Sequence, residues 1–515
     1  MQERYVTALD LGSSKTALSV AKVSGRDVQV IWYSELPSEG VRRGRVFNPM
    51  RASKPIREAI EKAERELGIK IRQVVTGLPR SNMFQETASA RASRVNPGSC
   101  ISREETEALK NSAIDTYPLQ DEKTDMLYGA VTQSFSTDDL MQVCEEDIIG
   151  CTSEFIEGNF KLFIGARKAV TDLDIMFKEA GISAARKYFI PEVTANAVLT
   201  EEQKENGVAL IDMGGGVTSL SIYSDNILRY YYALPFGGRD ITSDIKTESG
   251  FREVLCENIK RAFGSCMPDR LANMTDKVIQ VNNNETGSSR QLKVKDLAEI
   301  INARVCEILE SILWLIQDSG YADRLRCGLV LTGGCANLTN LANLLKEMSG
   351  YTVELGFPRT RLFSASGVPG VFDTNAASSV GLLLAAADDW SVNCLEQAPV
   401  IQVAPAAPVA KPAPVKQSWK ADKVASPAPA AKPAPEVQQP IVPEKHAAAE
   451  EPAIAEKPVI TGPTVNPAAQ PAAAEAPAQP AKTSTPWISI TWAKIKTMVE
   501  STVGSTVENS FEKAQ

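Results

Sequence analysis

Histidine is all but missing from this chain: His446 is the only one in 515 residues, and it lies in a proline-rich stretch. Histidine-based acid–base catalysis and histidine-built metal centres are thereby excluded. The nine cysteines are odd in number, scattered, and never spaced C-x-x-C; the closest pair is Cys144 and Cys151. They read as reduced cytosolic thiols, because a metal site needs more ligands than that pair supplies. The chain has no apolar run of about 18 residues, and polar and charged residues begin at Gln2, so neither a spanning helix nor a secretory leader is expected. Positive charge is in deficit, with a net charge of −8, which points to no nucleic-acid partner. Aromatic residues vanish between Ala398 and Pro486 except for Trp419, while 19 of the 30 prolines fall there.

What is present is a repeat. The stretch from Val6 to Val20 aligns without a gap on that from Val208 to Ile222. In each, an apolar strand ends in an acidic residue (Asp10, Asp212), turns through small residues, and resumes as a second strand. This is the pattern of a β-hairpin with a tight Gly/Ser tip. Two such hairpins facing each other make a cleft with two sets of backbone N–H groups for phosphate oxygens and two carboxylates for Mg²⁺ with its waters. A third element, Gly328 to Leu338, is a buried strand entering Gly333-Gly334, with a helix expected near Asn337. Glycine there lets a flat ring or ribose approach the backbone.

In order and character these elements resemble the actin-like ATPases, a superfamily that includes actin, Hsp70 chaperones and sugar kinases. Asp10 to Lys15 resemble the first phosphate loop, Asp212 to Thr218 the second, and Gly333-Gly334 the adenosine motif. Pro191 to Leu199 and Asn375 to Gly381 resemble the two small-residue connecting helices beneath the cleft. The resemblance covers about residues 4–390 and implies an α/β fold of two RNase H-like domains. Within the superfamily the chain is similar to the FtsA family of bacterial division proteins. Lys15 sits in the phosphate loop as in that family, and Gly77-Leu78-Pro79 opens an insertion containing the helix-like run Ser102 to Lys110. The family resemblance implies subdomain 1A at 1–81 and 166–205 and an inserted 1C-type subdomain at 82–165. It places the second domain at 206–396, with 2B at about 237–325. The acidic middle of the insertion, Leu119 to Gly158, departs from the family pattern.

Beyond this body, residues 397–486 form a Pro/Ala-rich linker with little to bury, expected to stay extended or disordered. As a flexible coil it spans roughly 50 Å. It serves as a spacer or as a ligand for a proline-recognition module. Composition then flips: in 487–515, Ile488, Trp492, Ile495 and Val499 fall at steps of four, three and four, one face of a helix. Trp487 and two nearby lysines complete the pattern of an in-plane, amphipathic membrane helix, or of a helix that docks in a partner's groove.

The chemistry implied is nucleotide binding. Lys15 would reach a β- or γ-phosphate of ATP, and Gly12, Ser13, Ser14, Gly214, Gly215, Gly216 and Thr218 would hold phosphate oxygens. Asp10 and Asp212 would hold Mg²⁺, and Glu192 would orient an attacking water. Glu257 and Lys260, spaced i, i+3, resemble the adenosine-side pair of Hsp70-like members, or form a solvated helical ion pair. The family resemblance further implies a peripheral protein on the inner face of the membrane at the division site. It would self-assemble as an actin-like polymer, hydrolyse ATP slowly or for regulation, capture the C-terminal peptide of FtsZ, and recruit other division proteins. The competing reading is a soluble actin-like ATPase: a PilM-like pilus protein, a chaperone or a sugar kinase.

Overall fold

The structure is a computed structural model and describes residues 3–271, 274–282 and 289–395. The expected linker and terminal helix, with Trp487, Ile488, Trp492, Ile495 and Val499, lie outside the described residues. Among the described residues no helix is long and apolar enough to cross a membrane.

The chain builds two sheets on one plan. The first has the order β10 (Ser183–Tyr188), β6 (Gln73–Gly77), β1 (Arg4–Leu11), β2 (Lys15–Ser24), β3 (Asp27–Pro37), β18 (Ser364–Ala365). The second has the order β13 (Ile227–Leu234), β12 (Thr218–Ser224), β11 (Val208–Met213), β16 (Leu329–Thr332), β17 (Val353–Leu355). In each, an antiparallel hairpin (β1–β2, β11–β12) continues into a third antiparallel strand, and a parallel neighbour (β6, β16) lies beside its first strand. All residues of β11 and β12 are buried, as expected of strands covered on both faces.

Helices α1 (Pro49–Leu67) and α4 (Arg167–Ala180) cover the outer face of the first sheet. Helix α1 starts on Asn48, whose side chain accepts from Arg51 N, with Pro49 next, and stops at Gly68 in the left-handed region (φ +66°). These are the start and stop signals that free N–H groups and a reversing backbone require. Its buried face, Ala52, Ile56, Ala59, Ile60 and Ala63, meets Leu9, Leu18 and Val20 of the sheet. The outer face of the second sheet carries α7 (Gly238–Ser249), α8 (Glu253–Phe263), α9 (Val294–Asp318) and α10 (Leu341–Ser349), with Leu297, Ile301, Val305, Ile308, Ile312 and Leu315 of α9 inside. The short helix α6 (Glu201–Asn206) precedes β11.

Between the two sheets run α5 (Ile190–Val198) and α11 (Ala377–Asp388), and one apolar cluster joins them to both sheets. A Cβ on Gly381 would lie 2.3 Å from the Val193 carbonyl oxygen, so glycine is what lets α11 lie against α5. The chain thus returns to the first sheet near residue 364, earlier than the 396 expected for the end of the second domain: β18 pairs with β3, and Cys394 N donates to Tyr5 O.

Residues 84–166 form a separate three-stranded sheet, β7 (Phe84–Ser93), β9 (Phe155–Ala166), β8 (Asp125–Ser136), covered by α2 (Arg103–Thr116) and α3 (Glu145–Ile148). Helix α2 begins with a capping box between Ser102 and Glu105, where the sequence places a helix. From β9, Phe163 reaches Phe189 (centroids 4.7 Å apart) and Tyr231 of β13. A short hairpin, β4 (Val41–Arg42) and β5 (Arg45–Val46), rises beside the Asp10–Lys15 turn. The two described ends of the polar run Val281 to Arg290 lie in an antiparallel pair, β14 (Val278–Asn282) and β15 (Ser289–Lys293), and residues 283–288 lie outside the described residues.

Candidate functional site: two facing loops with an arginine between their carboxylates

The repeat in the sequence is a repeat in hydrogen bonding. Gly12 N donates to Lys15 O at 2.9 Å, and Gly214 N donates to Val217 O at 2.9 Å. Asp10 pairs with Ala17 and Asp212 with Ser219, the same register in both hairpins. The loops face each other closely. A Cβ on Gly215 would lie 2.1 Å from Ser14 Oγ, and one on Gly216 would lie 2.7 Å from Ser13 Oγ. These glycines are required because the second loop sets bare backbone against the Ser13 and Ser14 side chains of the first. Arg239 ties the halves together: its Nη1 donates to Ser13 O at 2.8 Å and its N to Gly215 O at 2.7 Å. Thr218 is buried, and its hydroxyl donates to Phe236 O at 3.0 Å, holding the Gly237-Gly238 turn under the second loop.

The two carboxylates come together, and Arg80 lies between them. Its Nη1 donates to Asp212 Oδ2 at 2.6 Å, and its Nη2 to Asp10 Oδ1 at 3.1 Å and to Ser378 Oγ at 2.9 Å. Each aspartate side chain is only 10% exposed and Arg80 16%. Burial raises the Asp212 carboxyl above the usual range; the Arg80 charge pulls it back and the Asp10 charge adds to the rise. Gly333, at φ +89°, runs so close to Asp212 that a Cβ would lie 2.4 Å from Oδ1.

Asp10 and Asp212 are the residues expected to hold Mg²⁺. As arranged they do not fit it: Mg²⁺ needs a compact octahedral shell of oxygens at about 2.1 Å. Here a guanidinium already fills the space between both carboxylates.

On the side expected to face adenosine, Lys260 is buried and donates to Gly238 O (2.7 Å), Thr242 Oγ1 (2.8 Å) and Glu257 Oε2 (2.7 Å). The lysine of the pair is thus buried, while the Glu257 side chain stays 41% exposed. Burial works to raise the Glu257 carboxyl, but the Lys260 charge and hydrogen bonds from Lys260 and Thr242 hold it below the usual value. Gly333 and Gly334 lead into Cys335, whose Sγ donates to Gly214 O at 3.4 Å and whose thiol is pushed up to about 11 by burial. The helix expected near Asn337 divides here into a 3-10 turn at Gly334–Asn337 and α10. Asn340, at φ +66°, breaks the two apart, a conformation asparagine tolerates.

Two expected residues sit differently. Lys15 Nζ is held by Glu35 (2.5 Å), Asn375 O (2.9 Å) and Tyr33 Oη (3.3 Å), on the side of β3 and α11. Glu192 is exposed on α5, and its charge bears on Tyr223, near the end of β12 remote from the loop. The α5 residue that faces the site is buried Thr194, its hydroxyl 3.1 Å from Ser378 Oγ.

The reading of the sequence missed Arg80, Arg239, Ser378 and the Gly237-Gly238 turn. Arg80 had a signal, as the first charged residue after an apolar strand and the Gly77-Leu78-Pro79 turn. The registers Leu9↔Thr76 and Ile211↔Leu331 make Arg80 the counterpart of Cys335, each four residues beyond its paired strand residue.

Two halves of one design, meeting at glycine-rich loops above two crossing helices, define an actin-like ATPase fold. The solved PilM-PilN type IV pilus biogenesis complex shares it, with a TM-score of 0.51 and 17% identity over 74% of this chain and 98% of that one. A family model described as Cell division protein FtsA matches residues 209–381. Cell division protein FtsA of Neisseria meningitidis serogroup B is 30% identical over 362 residues, 70% of this chain and 85% of that protein. The Bacillus subtilis protein of that name is 26% identical over 383 residues, 74% and 83% of the two chains. The chain belongs to the FtsA family of cell division proteins; its likeness to the pilus protein is one of fold alone.

Proposed function

We propose that this chain is an ATP-binding assembly protein that tethers the division machinery to the inner face of the cell membrane. The observation that carries the nucleotide part is the pair of facing loops with one turn geometry, Gly12–Lys15 and Gly214–Val217. Paired backbone N–H groups in a concave, glycine-lined cleft are a polyphosphate cradle. Lys260, Glu257 and Cys335 line its far side, beside the thin Gly333 turn, where a nucleoside fits.

The tethering part rests on family membership and on the terminal segment. A terminal segment in which Ile488, Trp492, Ile495 and Val499 recur at helical spacing, with Trp487 beside them, after a long proline-rich stretch, has the composition of a reversible surface anchor. Assembly multiplies weak anchors into firm attachment. The partners in this reading are further copies of the chain, the C-terminal peptide of FtsZ, and other division proteins. Hydrolysis is slow or regulatory in this reading, because Glu192 stands apart from the loops and Asp10 and Asp212 are both held by Arg80.

Vesicle co-sedimentation tests it, with the full chain against one truncated after Pro486, each with ATP and purified FtsZ. The full chain is expected to pellet with anionic vesicles and bring FtsZ down, and the truncated chain to stay in solution. Trp492→Glu, which sets a charge in the middle of the apolar face, is expected to behave like the truncation. Equal behaviour of all three would overturn the anchor.

A further inference from the structure

Arg80 is fixed from every side. Its backbone follows β6 directly and is gripped by two other elements: its N donates to Gly44 O at 3.4 Å in the β4–β5 hairpin, and its carbonyl accepts from Tyr231 Oη at 3.3 Å in β13. Pro79 before it restricts the main chain. Its guanidinium spans one carboxylate from each half-site and the Ser378 hydroxyl of α11. Leaving this position would strand two nearly buried carboxylates 10% exposed at the base of the cleft, which is costly without a replacement cation.

The site thus carries its own cation at the point where the two phosphate loops converge. A guanidinium is permanently charged and carries five donors in a planar fork, of which the two aspartates and Ser378 use only part. The remaining donor capacity matches phosphate oxygens. Arg239 adds a second guanidinium, bonded to Ser13 O.

We infer that a nucleoside di- or triphosphate binds here with Arg80 in the place of a divalent metal ion, so that binding does not require Mg²⁺. The inference rests on the nucleotide reading above. It assigns Arg80 as the residue that neutralises the polyphosphate and joins the two half-sites around it.

Calorimetric titration of the full chain with ATP, once in excess EDTA and once in millimolar Mg²⁺, tests it. The wild-type affinity is expected to agree within about threefold between the two conditions, since the charge is supplied by the protein. Arg80→Met is expected to lose about tenfold or more in EDTA and to regain affinity in Mg²⁺, because both carboxylates are then free for the ion. A wild-type affinity that falls about tenfold or more in EDTA would overturn the inference and leave the nucleotide reading standing. An Arg80→Met protein with the metal response of wild type would also overturn it. Failure of the wild-type chain to bind ATP in either condition would overturn the nucleotide reading itself. The wild-type comparison needs no variant, so misfolding of Arg80→Met does not remove the test.

Discussion

Gly381 of α11 and the Val193 carbonyl of α5 are in backbone contact, with space for no more than a hydrogen between them. The contact joins the two helices that lie between the sheets, so it sets how closely the halves approach. Gly381→Ala forces one helix away and is expected to cost about 1–3 kcal/mol. Urea unfolding should show the midpoint drop with the slope unchanged.

Lys260 holds the Gly238 carbonyl, Thr242 and Glu257 from a buried position. Lys260→Met keeps the length of the stem and removes all three donors. The loss expected is about 1–3 kcal/mol, the cost of buried acceptors left unpaired. ATP affinity should fall with it, because the Gly237-Gly238 turn supports the second loop. An unchanged affinity measured by calorimetry would detach this pair from the site.

Arg4 closes the C-terminal end of α11. Its Nη1 donates to Ala386 O (3.1 Å), Asp389 O (2.7 Å) and Val392 O (2.8 Å), and its Nη2 donates to Ala387 O. Ala386 and Ala387 carry carbonyls that the helix end leaves without partners, and Asp389 and Val392 belong to the turn that follows. Arg4→Met is expected to destabilise the chain by about 3 kcal/mol, read as a lower thermal midpoint. Deletion of residues 1–5 should cost at least as much.

The Asp212 carboxyl titrates above its ordinary value of 3.8 because it is buried, with Arg80 opposing the rise and Asp10 adding to it. A carboxyl raised on folding favours the folded state when protonated. Its contribution is complete below 3.8 and is lost as pH rises through the folded value. Wild type should therefore lose stability relative to Asp212→Asn as pH rises from about 3.8 through that value. Urea unfolding of both proteins across this range checks the sign, and a difference that moves in favour of wild type contradicts it.

Much of this architecture was legible because it is local. The hairpins were visible as alternating strands around Asp10 and Asp212, and their shared register follows from equal strand and turn lengths. The small residues of α5 and α11 and the Ser102 cap of α2 could be read in the same way. Arg80 was marked only by its place after the Gly77-Leu78-Pro79 turn, and a lone arginine there can face solvent or core, so only closure of two distant half-sites decides which. Burial of Lys260 depends likewise on a carbonyl 22 positions away. The early return of β18 to β3 rests on two residue pairs, too short for any periodicity to register. Lys15 was read as facing phosphate; Glu35 and the Asn375 carbonyl, from β3 and the approach to α11, draw it aside.

The correspondence of Arg80 with Cys335 gives the cleft a polarity that its matched walls lack. Two hairpins of one register would by themselves accept a ligand in either sense, like a lock with a symmetric key. At the same step beyond the paired strand, one half sets a permanent positive charge and the other a weakly polar thiol behind a thin glycine turn. A molecule with one anionic end and one flat, neutral end then has a single way in.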